Sequence, residues 1–262
     1  MNAPILEVVA LQKRFLGITA LDEVSFSLAE GEITALIGPN GAGKTTMFNC
    51  VTGMYTPSGG AVRFAGKDIA GLGAHRISRC GIARTFQNLA LFGGLTILEN
   101  LVVGAYLQGR TGLLQGALRS PAARREQREA EAAAREVLAF LDMEDAAERK
   151  PSELPYGRQK QVEFGRALMQ KGRLMLLDEP MAGMSAAEKT AMTALIQRVR
   201  RELGMTFLLV EHDIPVIMDI SDKIVVLDFG RKIAEGAPRE VRENPAVIAA
   251  YLGVDDQNRA PP

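Results

Sequence analysis

The run Gly38-Pro39-Asn40-Gly41-Ala42-Gly43-Lys44-Thr45 constrains this chain more than any other feature. It fits G-x-x-x-x-G-K-[ST], and it has the flanks that pattern needs. An almost wholly apolar stretch at 32–37 precedes it and a helical stretch at 46–51 follows. A merely Gly-rich turn leaves the lysine unexplained, whereas a phosphate-binding loop uses every position. The glycines let the backbone approach a phosphate closely, and several N–H groups converge at the positive end of a helix. Lys44 is placed to bridge β- and γ-phosphates, and the Thr45 hydroxyl to bind Mg2+, with Thr46 completing the first turn.

The apolar stretch before the loop is what a strand covered on both faces looks like. Around it the first 70 residues read mostly as strands. Val24, Phe26 and Leu28 alternate with Ser25 and Ser27, and a hairpin is expected at 61–64 with its turn at Ala65-Gly66-Lys67. The region 95–150 changes character. Ser120-Pro121 predicts an N-cap followed by proline at the first helical position, opening an amphipathic helix toward Met143 with Ala134, Val137, Leu138 and Leu141 on one stripe. From Arg173 strands and helices alternate: strand 174–177, helix 187–203, strand Thr206–Val210, helix Ile214–Ile220, strand 223–227. That alternation implies βαβ units and a mostly parallel sheet. A short helical tail is expected after Gly236, ending near Tyr251-Leu252-Gly253, with 255–262 disordered.

Composition weighs against several classes. Lys+Arg and Asp+Glu both total 31, so there is no basic excess of the kind a nucleic-acid protein shows. Two cysteines, Cys50 and Cys80, are too few for a disulfide scaffold. The start of the chain lacks the pattern of a signal peptide, and its apolar runs have strand length, far short of the ~20 residues a spanning helix needs. Any membrane role is expected to be peripheral.

Four further motifs carry chemistry. Strand 174–177 ends in Asp178 and Glu179; the first is placed to hold Mg2+ through its waters, the second to orient or deprotonate an attacking water. His212, in Val210-Glu211-His212-Asp213, falls at the carboxyl end of the next strand, where open α/β sheets bind ligands. Gln87, in Thr85-Phe86-Gln87-Asn88, lies where the β-rich part gives way to the helical part; there a neutral ligand reaching Mg2+ would couple hydrolysis to movement. Leu154-Pro155-Tyr156-Gly157-Arg158-Gln159 precedes a helix, and its glycine and helix N-terminus again suit a phosphate. The first three have plainer alternatives: a surface turn, a structural histidine, a polar surface residue.

These motifs in this order resemble the nucleotide-binding subunits of ABC transporters, over nearly the whole chain. The resemblance implies an α/β fold: a P-loop NTPase (RecA-like) core at 1–86 and 160–240, with an antiparallel β subdomain. An inserted helical subdomain at 87–159 and a tail at 241–262 complete it. In that family the phosphate loop is Walker A, the acid strand Walker B, and 154–159 the signature. Gln87 and His212 take the Q-loop and H-loop positions, and Phe15 falls where an aromatic stacks on adenine. The implied cofactors are ATP and Mg2+. The implied partners are a second ATPase subunit, paired head to tail so that each signature closes on the other's ATP, two membrane permeases and a periplasmic substrate-binding protein. The implied place is the cytoplasmic face of the inner membrane, with no role for nucleic acid.

Finer features are similar to the first ATPase subunit of hydrophobic, branched-chain amino-acid importers. They are the long helical segment 113–149, the Tyr-Gly form of the signature, Pro180-Met181-Ala182-Gly183-Met184 and the stretch 216–252. The chain departs from the wider family at three positions. The usual signature serine is Pro155, the following glutamine is Arg158, and the usual aspartate after Walker B is Ser185. Arg158 with backbone N–H groups near Gly157 is the expected compensation for the missing hydroxyl. The alternatives are the ATPase of a lipid or lipopolysaccharide exporter, whose cassette is close to this branch, and a soluble ABC ATPase of repair or translation.

Overall fold

The computed structural model describes residues 3–85, 90–106 and 121–257. Its main sheet has the order β10-β9-β3-β8-β7-β6. Strands β3 (Ile33–Ile37), β6 (Ile82–Arg84), β7 (Leu174–Asp178), β8 (Thr206–Val210) and β9 (Lys223–Asp228) are parallel, and β10 (Arg231–Gly236) returns antiparallel to β9. Successive side chains of a strand point to opposite faces, and here both faces are covered. Ile33, Ala35 and Ile37 of β3, with Met175 and Leu177 of β7 and Phe207 and Leu209 of β8, enter one core. Leu36, Leu174, Leu176, Leu208 and Val210 enter another. That is why these strands read as unbroken apolar runs and not as alternating ones.

The second core is closed by an antiparallel sheet of order β2-β1-β4-β5, built from β1 (Leu6–Phe15), β2 (Ile18–Leu28), β4 (Gly59–Phe64) and β5 (Lys67–Asp68). Leu6, Val8, Leu11, Leu21, Val24, Phe26 and Leu28 line its inner face. Helix α1 (Lys44–Val51) contributes Met47, Phe48 and Val51 to the same core. Helix α2 (Ala74–Arg79) follows β5 and seats Ile77 there.

The first core extends into a group of helices: α3 (Ile97–Ala105), α4 (Pro121–Phe140) and α5 (Tyr156–Leu168). Helix α3 starts with a full capping box, Thr96 on the Glu99 amide and Glu99 on the Thr96 amide. Close packing against α5 needs Gly104, where a Cβ would lie 2.3 Å from the Arg166 carbonyl oxygen. Helices α6 (Ala186–Leu203), α7 (Ile214–Ile220), α8 (Pro238–Arg242) and α9 (Pro245–Gln257) complete the described chain.

Several boundaries differ from the sequence pattern for local reasons. Helix α4 stops at Phe140, short of Met143, because Asp142 takes a left-handed conformation (φ 55) and ends the helical run. Met143 still joins the core from the turn that follows. Helix α1 begins two residues earlier than expected, at Lys44 itself. Helix α9 continues to Gln257, so 255–257 are helical where disorder was expected. Ser120, the expected N-cap of α4, lies outside the described residues. Strands β1, β6 and β10 and helices α2 and α3 had no separate signal strong enough to place them.

Candidate functional site

Because β3, β7 and β8 are parallel neighbours, their carboxyl ends reach the same edge of the sheet. Gly38 follows β3, Asp178 closes β7, and Glu211 and His212 follow β8. The β7–β8 register sets Asp178 opposite Val210, and the Glu179 amide then donates to the Val210 carbonyl at 2.9 Å.

The phosphate loop is shaped by what would not fit. A Cβ at Gly38 would lie 2.1 Å from the Leu227 carbonyl oxygen, and one at Gly43 would lie 2.6 Å from that of Ala20. Gly43 also has φ 100, a conformation open to glycine. Gly43 is the N-cap of α1 and no side chain caps this helix, so its first amides point where an anion would bind. Lys44 is buried, and its ammonium donates to the Gly38 and Pro39 carbonyls at 2.7 and 3.0 Å. Burial pushes the Lys44 pKa down, against the charges of Glu179 and then Asp178, which hold it up. Lysine and acids therefore share one electrostatic field. Thr45 is exposed beside them.

Asp178 is buried and paired with Arg84 (Nη2 to Oδ2, 2.9 Å). The other end of that guanidinium donates to Asn49 of α1 and to Thr52 at its C-terminal cap, at 2.7 and 3.2 Å, so Arg84 ties β6, α1 and the acid strand together. Glu179 sits at φ 48, a strained position for a residue with a side chain. Its Oε1 is 2.9 Å from His212 Nε2, a contact with the exposed imidazole. Glu211 is buried and accepts the Met181 amide at 2.8 Å, fixing the turn after Glu179; burial raises its pKa. Asp178 and Thr45 offer hard oxygen donors, which suits Mg2+, an ion that takes one or two protein oxygens and keeps its waters. Among the described residues no group of three or more His, Cys, Asp or Glu is placed to cage a metal alone.

The 154–158 segment forms a separate cluster. Leu154 is buried, Pro155 occupies the N-cap of α5 without a side-chain bond, and Tyr156 is exposed. The Gly157 amide donates to Glu188 Oε1 at 3.1 Å. Glu188 Oε2 accepts the Ser185 amide and hydroxyl, both at 2.8 Å. Arg158 turns away and forks onto Asp145 at 2.6 and 3.1 Å. Phe15 ends β1 against Tyr55, edge to face at 5.2 Å, with the Lys13 ammonium 4.7 Å from its ring centre.

Thus Lys44, Asp178, Glu179 and His212 come together, while 154–158 and Phe15 keep company of their own. Gln87 lies outside the described residues. Sequence reasoning missed Arg84, Glu211 and Glu188. The first two lie beside or within motifs legible in the sequence, but only the register of β6, β7 and β8 brings Arg84 to Asp178 and Glu211 to the turn after Glu179. Ser185-x-x-Glu188 has the spacing of a capping box, visible in the sequence. Its reach to Gly157 is not.

The ABC transporter family profile matches residues 21–182, and a profile described as branched-chain amino acid ATP-binding cassette transporter matches 231–257. The high-affinity branched-chain amino acid transport ATP-binding protein BraF of Pseudomonas aeruginosa is 45% identical over 97% of this chain and 99% of its own length. The corresponding protein LivG of Escherichia coli is 42% identical with the same coverage. Among solved structures, an ATP-binding cassette of an ABC transporter in its ADP conformation superposes with a TM-score of 0.83 at 33% identity, covering 96% of this chain and 100% of that one. A dimeric cassette in a post-hydrolysis state with ADP and Pi gives a TM-score of 0.74 at 27% identity, covering 89% and 99%.

Proposed function

The chain belongs to the ABC transporter family as an ATP-hydrolysing subunit, and from that premise we propose that it powers import of branched-chain amino acids. The observation that carries the cargo is the 45% identity, spread over 97% of the chain, to a subunit named for that transport. In this reading the chain sits at the cytoplasmic face of the membrane against two permeases, fed by a periplasmic binding protein. Among its described residues no helix is long and apolar enough to cross a membrane. Two cassettes pair head to tail, a reading supported by the likeness to a dimeric cassette. The core, 1–86 and 160–240, carries the phosphate loop and acids, while 87–159 carries Gln87 and the signature.

Each residue has one task in hydrolysis. Lys44 exchanges the Gly38 and Pro39 carbonyls for β- and γ-phosphate oxygens, a trade eased because the ammonium is already desolvated. Phe15 stacks on adenine. Thr45, Asp178 and Gln87 would hold Mg2+, which when bound would supply charge neutralisation at the phosphates. Glu179 accepts a proton from the attacking water while the water's oxygen bonds the γ-phosphorus, and the bond from that phosphorus to the bridging β-phosphate oxygen breaks, releasing ADP and phosphate. His212 leaves Glu179 to donate to the γ-phosphate. Gln87 passes closure to the permeases.

The test is ATPase activity of the transporter reconstituted with its permeases and binding protein, with and without leucine, isoleucine or valine. Stimulation by at least one is expected. Stimulation by none, or by lipid alone, would overturn the importer assignment.

A further inference from the structure

Helix α5 runs for 13 residues, yet its N-cap is Pro155, a residue with no side-chain acceptor. A serine or aspartate at that position would take the amide of the second or third helical residue. Here the second residue is Gly157, and its amide is not left open: it donates to Glu188 of α6 at 3.1 Å. A capping carboxylate has been borrowed from another helix. The fit is close, since any Cβ on Gly157 would lie 2.4 Å from that oxygen. The second oxygen of Glu188 is committed to the Ser185 amide and hydroxyl, so one carboxylate ties the start of α5 to the turn after the acid strand. Arg158, the next residue, carries donors only and is forked onto Asp145, so the Gly157 amide has no acceptor within its own turn.

We propose that Glu188 is a positioning residue, a tethered anion that caps α5 in the open chain and must yield the Gly157 amide when a partner's γ-phosphate arrives. This rests on the head-to-tail reading above. A carboxylate and a phosphate want the same amide and the same positive helix end, and they repel each other. Closure therefore needs the Glu188 carboxylate to swing off Gly157. Glu188 sets how much ATP drives closure, while the Ser185 half of its bonding keeps it from wandering.

Charge and acceptor are separable. Glu188→Gln keeps an oxygen for the Gly157 amide but removes the repulsion; Glu188→Ala removes both; Pro155→Ser restores a cap from within α5. In the full chain carrying Glu179→Gln, the ATP concentration for half-maximal dimerisation is read by light scattering. Adding Glu188→Gln should lower it about three- to tenfold. Nucleotide-free melting separates the capping role. Glu188→Ala should lower the midpoint by about 2–4 °C, and Pro155→Ser in that background should recover most of the loss.

An unshifted or higher ATP midpoint for Glu188→Gln would overturn the competition, and no recovery with Pro155→Ser would overturn the borrowed cap. If the Glu179→Gln chain forms no dimer with ATP, the head-to-tail reading falls and takes this one with it. If it dimerises and Glu188→Gln changes nothing, this proposal falls alone.

Discussion

Two helix starts in this molecule face phosphate in the proposed mechanism, and they are built in opposite ways. At α1 the cap is Gly43 and no side chain covers the amides; the loop is held by its own lysine and by backbone packed against Leu227 and Ala20. At α5 the cap is Pro155 and a carboxylate from α6 covers the amide. The helices α3 and α6, which have no such role, cap themselves with Thr96 and Ser185 boxes. The contrast separates a permanent half-site from a conditional one. Backbone sterics cannot be switched off, whereas a side chain on a rotatable stem can leave. In the proposed mechanism, ATP meets a finished cradle first, and the second half-site answers only when a partner brings phosphate to it.

The largest effect tests whether the finished half does chemistry at all. Glu179→Gln keeps shape and the bond to His212 but cannot accept the water proton. Steady-state turnover should fall about 10²–10⁴-fold, with ATP binding retained and a dimer trapped. Rapid phosphate release by this variant would strip Glu179 of its role.

The contrast itself is broken or kept by two alanines. At Gly38 the added Cβ would meet backbone, the Leu227 carbonyl oxygen at 2.1 Å; at Gly157 it would meet the end of a flexible side chain, Glu188 Oε1 at 2.4 Å. Overpacking against backbone typically costs about 1–3 kcal/mol, while a carboxylate can rotate aside for the price of a cap, about 1 kcal/mol. Thermal melting of the nucleotide-free chain should therefore show Gly38→Ala the more damaging. Equal losses would mean that the α5 start is as rigid as the phosphate loop.

The two halves also differ in how far they could be read from sequence. Gly38–Thr45, Asp178 and Glu179 are contiguous signals, because a loop and a strand end carry their chemistry on neighbouring residues. The strands around them were legible for the same reason: a run such as Thr206–Val210 is apolar at nearly every position, since β8 is covered on both sides. Strand β1 was not, because its register slips relative to β2 between Val8 and Leu11 and again near Lys13, so the period of two is broken. Arg84 reads as any strand-edge cation until the β6–β7 pairing brings it to Asp178. Glu188 reads as half of a local capping box, which it is; its second partner lies 31 positions away on another helix. Contacts between elements are set by packing, and sequence spacing carries no record of them.

The smallest effect isolates the charge of the conditional half. Hydrogen bonds from the Ser185 amide and hydroxyl, and from the Gly157 amide, hold the Glu188 pKa below its ordinary value of 4.5. A carboxylate depressed by folding adds stability that is fully present above its unfolded pKa and lost as pH falls through its folded one. The chain should then melt slightly above its Glu188→Gln variant at neutral pH, by no more than about 2 °C, because Gln keeps the acceptor but not the charge. As pH falls below 4.5 that gap should narrow and close. Melting points of the two proteins across this range read the difference directly, cancelling other acids common to both. A gap that stays constant with pH would mean the glutamate is held by shape alone. Its charge would then have nothing to trade with a phosphate.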